Sequence, residues 1–117
     1  MSMKWFKVFD NESEIVWQEN NMCIIEVNHT KITLAKNKNL LYAFSHKCPH
    51  AGGIMAEGYI DALGNAVCPV HKYSFSLQTG RNKSGEDYLK TFVVESRADG
   101  IYIGFKENIW TKFLQNK

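Results

Sequence analysis

The chain is short of several things that would place it in a class at once. It has two prolines and three cysteines in 117 residues and a formal net charge of only +2. No stretch approaches the roughly 18 apolar residues of a membrane span, and Met1 to Asp10 lacks the apolar core of a signal segment. Each shortage excludes something. Without an apolar run the expectation is a cytoplasmic protein with no membrane partner. Three cysteines are too few and too odd in number to frame a disulfide scaffold. So small a charge gives no electrostatic footprint for nucleic acid, which is not expected as a partner. Repeats, low-complexity tracts and linkers are also missing, and the length suits one domain spanning 1–117.

What is present is the composition of a globular protein, 44% apolar and 22% charged. Short segments rich in β-branched and aromatic residues alternate with turn signals, as in an antiparallel all-β domain. Strands are predicted at Trp5 to Val8, Met22 to Val27, Lys31 to Ala35, Leu40 to Phe44, Tyr73 to Leu77, Thr91 to Ser96 and Ile101 to Phe105. Turns fall at Asn28 His29, Asn37 Lys38 Asn39, Gly64 Asn65, Thr79 Gly80 and Asp99 Gly100, residues that tolerate positive φ or cap a bend. Alternation puts Cys23, Ile25 and Val27 on one face, so Cys23 reads as a small buried hydrophobe.

Two segments resist a strand reading. Asn11 to Asn21 offers a short helix or capped turn with a packing role. In the tail, 108–117, Ile109 and Phe113, and Trp110 and Leu114, are spaced four apart as on one helical face. So short a helix needs something to dock on.

The chemistry lies between Ser45 and Arg81. Both prolines, Pro49 and Pro69, directly follow a cysteine, which marks two related loops. The first reads Cys48 Pro49 His50 Ala51 Gly52 Gly53 and the second Cys68 Pro69 Val70 His71, with seventeen residues between His50 and Cys68. Each loop offers one thiolate and one imidazole, a set that favours metal over disulfide. Pro49 restricts the chain beside Cys48, while Gly52 and Gly53 let the backbone approach a bulky inorganic centre where a Cβ would clash. Two cysteines and two histidines also suit a closed structural zinc site, although zinc fingers usually pair like with like and each loop here mixes the two. His46 stands two residues before Cys48 but reads as a neighbour or a solvent-facing group, and His29 as a surface turn residue.

Cys-x-His, seventeen residues and Cys-x-x-His resemble the signature of the Rieske iron-sulfur proteins. Pro49, Gly52, Gly58, Pro69 and the Phe75 to Gly80 stretch also look like the ferredoxin branch of that family. The resemblance implies a Rieske fold of antiparallel β-sheets. A cluster-binding subdomain, about 45–85, would be inserted in a basal β domain of 1–44 and 86–107. It implies one 2Fe-2S cluster, with Cys48 and Cys68 on the inner iron and His50 and His71 on the outer iron. Two ferric ions, two sulfides and four thiolates carry a net charge of minus two, and replacing two thiolates with neutral imidazoles makes it zero. Adding an electron then meets less repulsion. Rieske potentials accordingly run from about −150 to +300 mV, against about −400 mV for plant-type ferredoxins.

The family pattern is departed from in places. Gly53 and Val70 stand where Rieske subunits of respiratory cytochrome bc complexes have two further cysteines. Tyr73 and Phe75 replace a serine and a tyrosine whose hydroxyls bond cluster sulfurs. No proline occurs between Asn82 and Leu89, where a proline-containing loop commonly covers the cluster, and Lys72 replaces a common glycine. An oxygenase would need a second domain with its own iron. The resemblance therefore implies a non-catalytic electron carrier, monomeric or weakly oligomeric. It would pass single electrons from a reductase to a terminal oxygenase or similar enzyme. The alternatives are the small subunit of a nitrite-reductase-like complex, or a structural zinc or redox-sensing module.

Overall fold

A computed structural model describes residues 2–85 and 87–106. The element order is β1 (Met3–Phe9), a 3-10 turn (Glu12–Glu14), β2 (Met22–Val27), β3 (Thr30–Asn37), β4 (Leu40–Ser45), a second 3-10 turn (Met55–Glu57), β5 (Tyr59–Ile60), β6 (Asn65–Val67), β7 (Ser74–Ser76), β8 (Thr91–Arg97) and β9 (Gly100–Lys106). The fold is all-β. Six strands form one antiparallel sheet in the order β1-β9-β8-β4-β3-β2, and β5-β6-β7 form a second. No helix among the described residues is long and apolar enough to cross a membrane.

The hairpins follow from their turns. Asn28 and His29 both have positive φ, 50° and 61°, and Lys38 and Asn39 repeat this at 52° and 67°. Two successive left-handed residues match the twist of the flanking strands, and Asn tolerates that conformation better than most residues. All seven strands predicted from sequence are present, although β7 is only three residues long. Strands β5 and β6 were not anticipated. They are two and three residues long, too short for alternation to show. In the first irregular segment Asn11 caps the 3-10 turn by accepting from the Ser13 N–H at 3.0 Å, and Ile15 is buried behind it. The predicted tail helix falls on 108–117, outside the described residues.

The strands β2 to β4 separate two apolar cores, because neighbouring side chains point to opposite faces. Cys23, Val27, Ile32, Leu34 and Ala43 face one core, with Ile103 and Ile15. Met22, Ala35 and Phe44 face the other, with Ala66, Phe75 and Leu77 of the small sheet and its borders. Being covered on both faces, Ile32 to Ala35 is buried without interruption, and the Thr33 hydroxyl is satisfied by donating to the Ser45 carbonyl at 3.2 Å. Burial pushes the Cys23 thiol above its ordinary value, as suits a packing residue. The second core also contains Cys48 and Cys68. Each fully buried aromatic there contributes about 1.5–3 kcal/mol. The candidate site is thus a continuation of a packed core.

Candidate metal centre

Strand β4 delivers the first loop and the end of β6 delivers the second. A bridge between Lys47 and Ile54 closes the first loop at its base. Inside it, the Cys48 N–H donates to the Gly53 carbonyl at 2.8 Å and the Gly52 N–H donates to the Cys48 carbonyl at 2.9 Å. In the second loop the Cys68 N–H donates to the Tyr73 carbonyl at 2.8 Å. Pro49 and Pro69 have no N–H and restrict φ directly after each cysteine. The two cysteines therefore occupy equivalent places in two tight turns.

Both thiols point inward, with Cys48 3% and Cys68 0% exposed. They lie close enough together for Cys48 to perturb the Cys68 thiol. Burial pushes the Cys68 thiol above its ordinary range, and the Cys48 thiol adds to this, while the backbone N–H groups of Val70 and Gly53 act to lower it. The loops thus bring backbone N–H groups near the Cys68 sulfur. Gly53 makes this approach possible, since a Cβ there would lie 2.8 Å from Cys68 Sγ and 2.9 Å from Val70 Cγ2.

Both histidines lie on the outside, exposed. The ring of Tyr73 stands beside them, its centroid 4.5 Å from that of His50 and 6.4 Å from that of His71. Nδ1 of His50 donates to Oδ2 of Asp87 at 2.8 Å. Asp87 comes from a segment tied down by the Asn82 N–H donating to its carbonyl at 3.0 Å, and by the Leu89 N–H donating to the Gly80 carbonyl at 2.7 Å. The segment without proline is thus anchored to the first loop. Nothing local in the sequence announces this contact, because its partners are 37 residues apart.

The four sequence-selected residues form an inner pair of thiols and an outer pair of imidazoles. Among the described residues no three Cys, His, Asp or Glu side chains gather as they would around one ion. His46 is half-buried, and its Nδ1 has no hydrogen-bond partner among the described residues. His29 is an exposed turn residue, as expected.

Two buried soft donors and two exposed imidazoles suit a mixed-ligand iron-sulfur site. The chain matches the model of the Rieske [2Fe-2S] domain over residues 4–93. It belongs to that family, and its cofactor is a 2Fe-2S cluster. It is 34% identical over 68 residues to the 3-phenylpropionate/cinnamic acid dioxygenase ferredoxin subunit of Shigella flexneri, covering 56% of this chain and 64% of that one. It is 30% identical over 88 residues to apoptosis-inducing factor 3 of Homo sapiens, covering 74% of this chain and 14% of that one. The chain thus spans less than two thirds of either relative. The ferredoxin of carbazole 1,9a-dioxygenase from Nocardioides aromaticivorans superposes with a TM-score of 0.72 over 87% of this chain and 98% of its own, at 18% identity. That likeness is one of fold.

Proposed function

We propose that Cys48, His50, Cys68 and His71 hold the cluster and that the chain is a soluble, cytoplasmic electron carrier rather than an enzyme. It would pass single electrons from a reductase to a terminal oxygenase or similar redox enzyme. The loops and the small sheet, about 45–85, would act as the cluster-binding subdomain on the base formed by the large sheet. The observation that carries the reading is the split of the four side chains, thiols inward and imidazoles outward. Related dioxygenase ferredoxin subunits support the choice of partner.

When bound, the cluster supplies a one-electron redox couple. The protein's own groups do the rest. Burial of Cys48 and Cys68 keeps water from the thiolates, and the Val70 and Gly53 N–H groups stabilise the charge on sulfur. His50 and His71 reach the surface, so an electron has a short path to a docked protein. Asp87 holds the His50 ring in one orientation, and the Tyr73 ring packs against it at a steep angle. A structural zinc finger usually pairs cysteine with cysteine and histidine with histidine, whereas each loop here mixes the two.

Protein purified without oxygen should be brown, with two irons and two acid-labile sulfides per chain and the EPR signal of a reduced 2Fe-2S centre. Stoichiometric zinc without labile sulfide would overturn the assignment. Turnover of a reductase and oxygenase pair only when the loaded protein is added would establish the carrier role.

A further inference from the structure

Between them, the two loops that carry the histidines contain Lys47 and Lys72 and no carboxylate from Ser45 to Gly53 or from Cys68 to Tyr73. Both lysines are exposed, and among the described residues neither forms an ion pair, whereas Lys7, Lys36 and Arg97 each do. The adjoining segment 81–90 adds Arg81, Lys83 and Lys90 against Glu86 and Asp87, and the Asp87 carboxylate is turned onto His50. The same two loops also expose apolar groups, Pro49, Pro69 and Val70, the last at 39%. Exposed apolar groups with charged residues beside them are the make-up of a transient protein interface.

We infer that these loops form a basic docking tip, with Lys47 and Lys72 on its rim. The partner it fits is a redox protein whose own electron port is apolar and ringed by Asp and Glu. The inference rests on the electron-carrier reading, since the tip matters only if electrons leave past the histidines. The pairing acts on encounter more than on affinity: complementary fields raise association rates, and salt screens them within about 8–10 Å. Lys47 directly precedes Cys48 and Lys72 directly follows His71, so both charges sit on the loops past which the electron would depart. The molecule's net charge of +2 cannot by itself give that direction.

Small outer-sphere oxidants read the local field without the natural partner. Reduced, cluster-loaded protein gives one electron to hexacyanoferrate(III), which becomes hexacyanoferrate(II), or to hexaammineruthenium(III), which becomes ruthenium(II). In stopped flow, the rate with the anionic oxidant should fall several-fold as salt is raised, and the rate with the cationic oxidant should rise. The double variant Lys47→Glu/Lys72→Glu should reverse both trends with the visible and EPR spectra unchanged. A control of equal charge change on other elements, Lys4→Glu/Lys38→Glu, should leave both directions intact. Poly-L-glutamate should slow the anionic oxidant with the wild type but not with the tip variant. Identical salt profiles for the tip variant and the control would overturn the docking tip while leaving the cluster assignment standing. Loss of the spectra from the wild type would instead strike the reading beneath it. Protection by a short DNA duplex but not by poly-L-glutamate would assign the tip to a phosphate polymer and overturn the protein partner.

Discussion

The two cysteine loops are closed by the same bond, the cysteine N–H donating at 2.8 Å to the carbonyl five residues on, Gly53 in one case and Tyr73 in the other. Beyond that bond they differ. The first loop meets its left-handed position with Gly52, at φ 72°, and anchors its imidazole to Asp87. The second meets the equivalent position with Lys72, at φ 55°, and puts His71 at φ 61° as well. Two successive non-glycine residues in that region cost about 1–2 kcal/mol each. The same shape is therefore locally favoured in one loop and imposed on the other, whose conformation must be maintained by the buried Cys68 and by what the two cysteines share. The second loop therefore depends more on its surroundings and the first more on its own sequence.

The largest effect should come from removing a shared thiol. Cys48→Ser and Cys68→Ser should each yield colourless protein without labile sulfide, since metal binding and local folding are coupled. The cluster-free Cys68→Ser protein should show the greater loss of amide protection, concentrated in the second loop, by hydrogen exchange. A full cluster in either variant would contradict the ligand assignment. Equal protection in both loops would mean that the second relies on its surroundings no more than the first.

The two glycines of the first loop differ in what a side chain would meet. Alanine at Gly53 would place a methyl 2.8 Å from Cys68 Sγ, a contact that must move the sulfur or the loop. Alanine at Gly52 meets nothing within 4 Å and carries only the cost of φ 72°, about 1–2 kcal/mol, part of which the stiffer unfolded chain offsets. Gly53→Ala should therefore lose at least half of its iron and sulfide. Gly52→Ala should stay loaded with a lower Tm. Iron analysis and thermal melts separate the two, and the reverse order would mean that steric approach is not what Gly53 provides.

Asp87 gives a smaller, purely electrostatic difference between the loops. The starting midpoint should lie low in the family range, about −150 to −50 mV, because Phe75, with no hydroxyl, occupies a fully buried position where a sulfur-bonding tyrosine would raise it. Neutralising a carboxylate bonded to the His50 ring favours the reduced state, so Asp87→Asn should raise the midpoint by some tens of millivolts. A redox titration giving the wild-type value would show that the carboxylate leaves His50 once the cluster is bound.

The parts of this molecule that sequence disclosed and the parts it hid differ in how local their causes are. Cys23, Ile25 and Val27 share a face because of strand periodicity, and the Asn28 His29 turn follows from two residues tolerant of positive φ; both causes sit within a few residues. The four candidate side chains were likewise marked by short spacing and two adjacent prolines. Strands β5 and β6 were hidden because so few residues carry no period, and their pairing with β7 decides them. The Asp87 contact was hidden because it is made by folding alone. His46 was only half legible, for sequence placed it beside the first loop without showing its Nδ1 to be buried.

The smallest expected effect tests the imposed conformation directly. Lys72 holds φ 55° with an exposed side chain, and among the described residues it makes no ion pair that would offset its backbone cost. Glycine adopts that conformation without a Cβ penalty, relieving about 1–2 kcal/mol of strain. It also gives the unfolded chain more freedom, which takes back about 0.5–1 kcal/mol. The net gain for Lys72→Gly should be about 0.5–1 kcal/mol, seen as a Tm higher by about 2–5 °C. Gly52→Lys, the mirror change in the first loop, should lower Tm by a similar amount, so that the pair exchanges the difference between the loops. Melts of the cluster-loaded proteins at one salt concentration would measure both. A lower Tm for Lys72→Gly would mean that the lysine stem stabilises the turn through packing by more than its left-handed backbone costs.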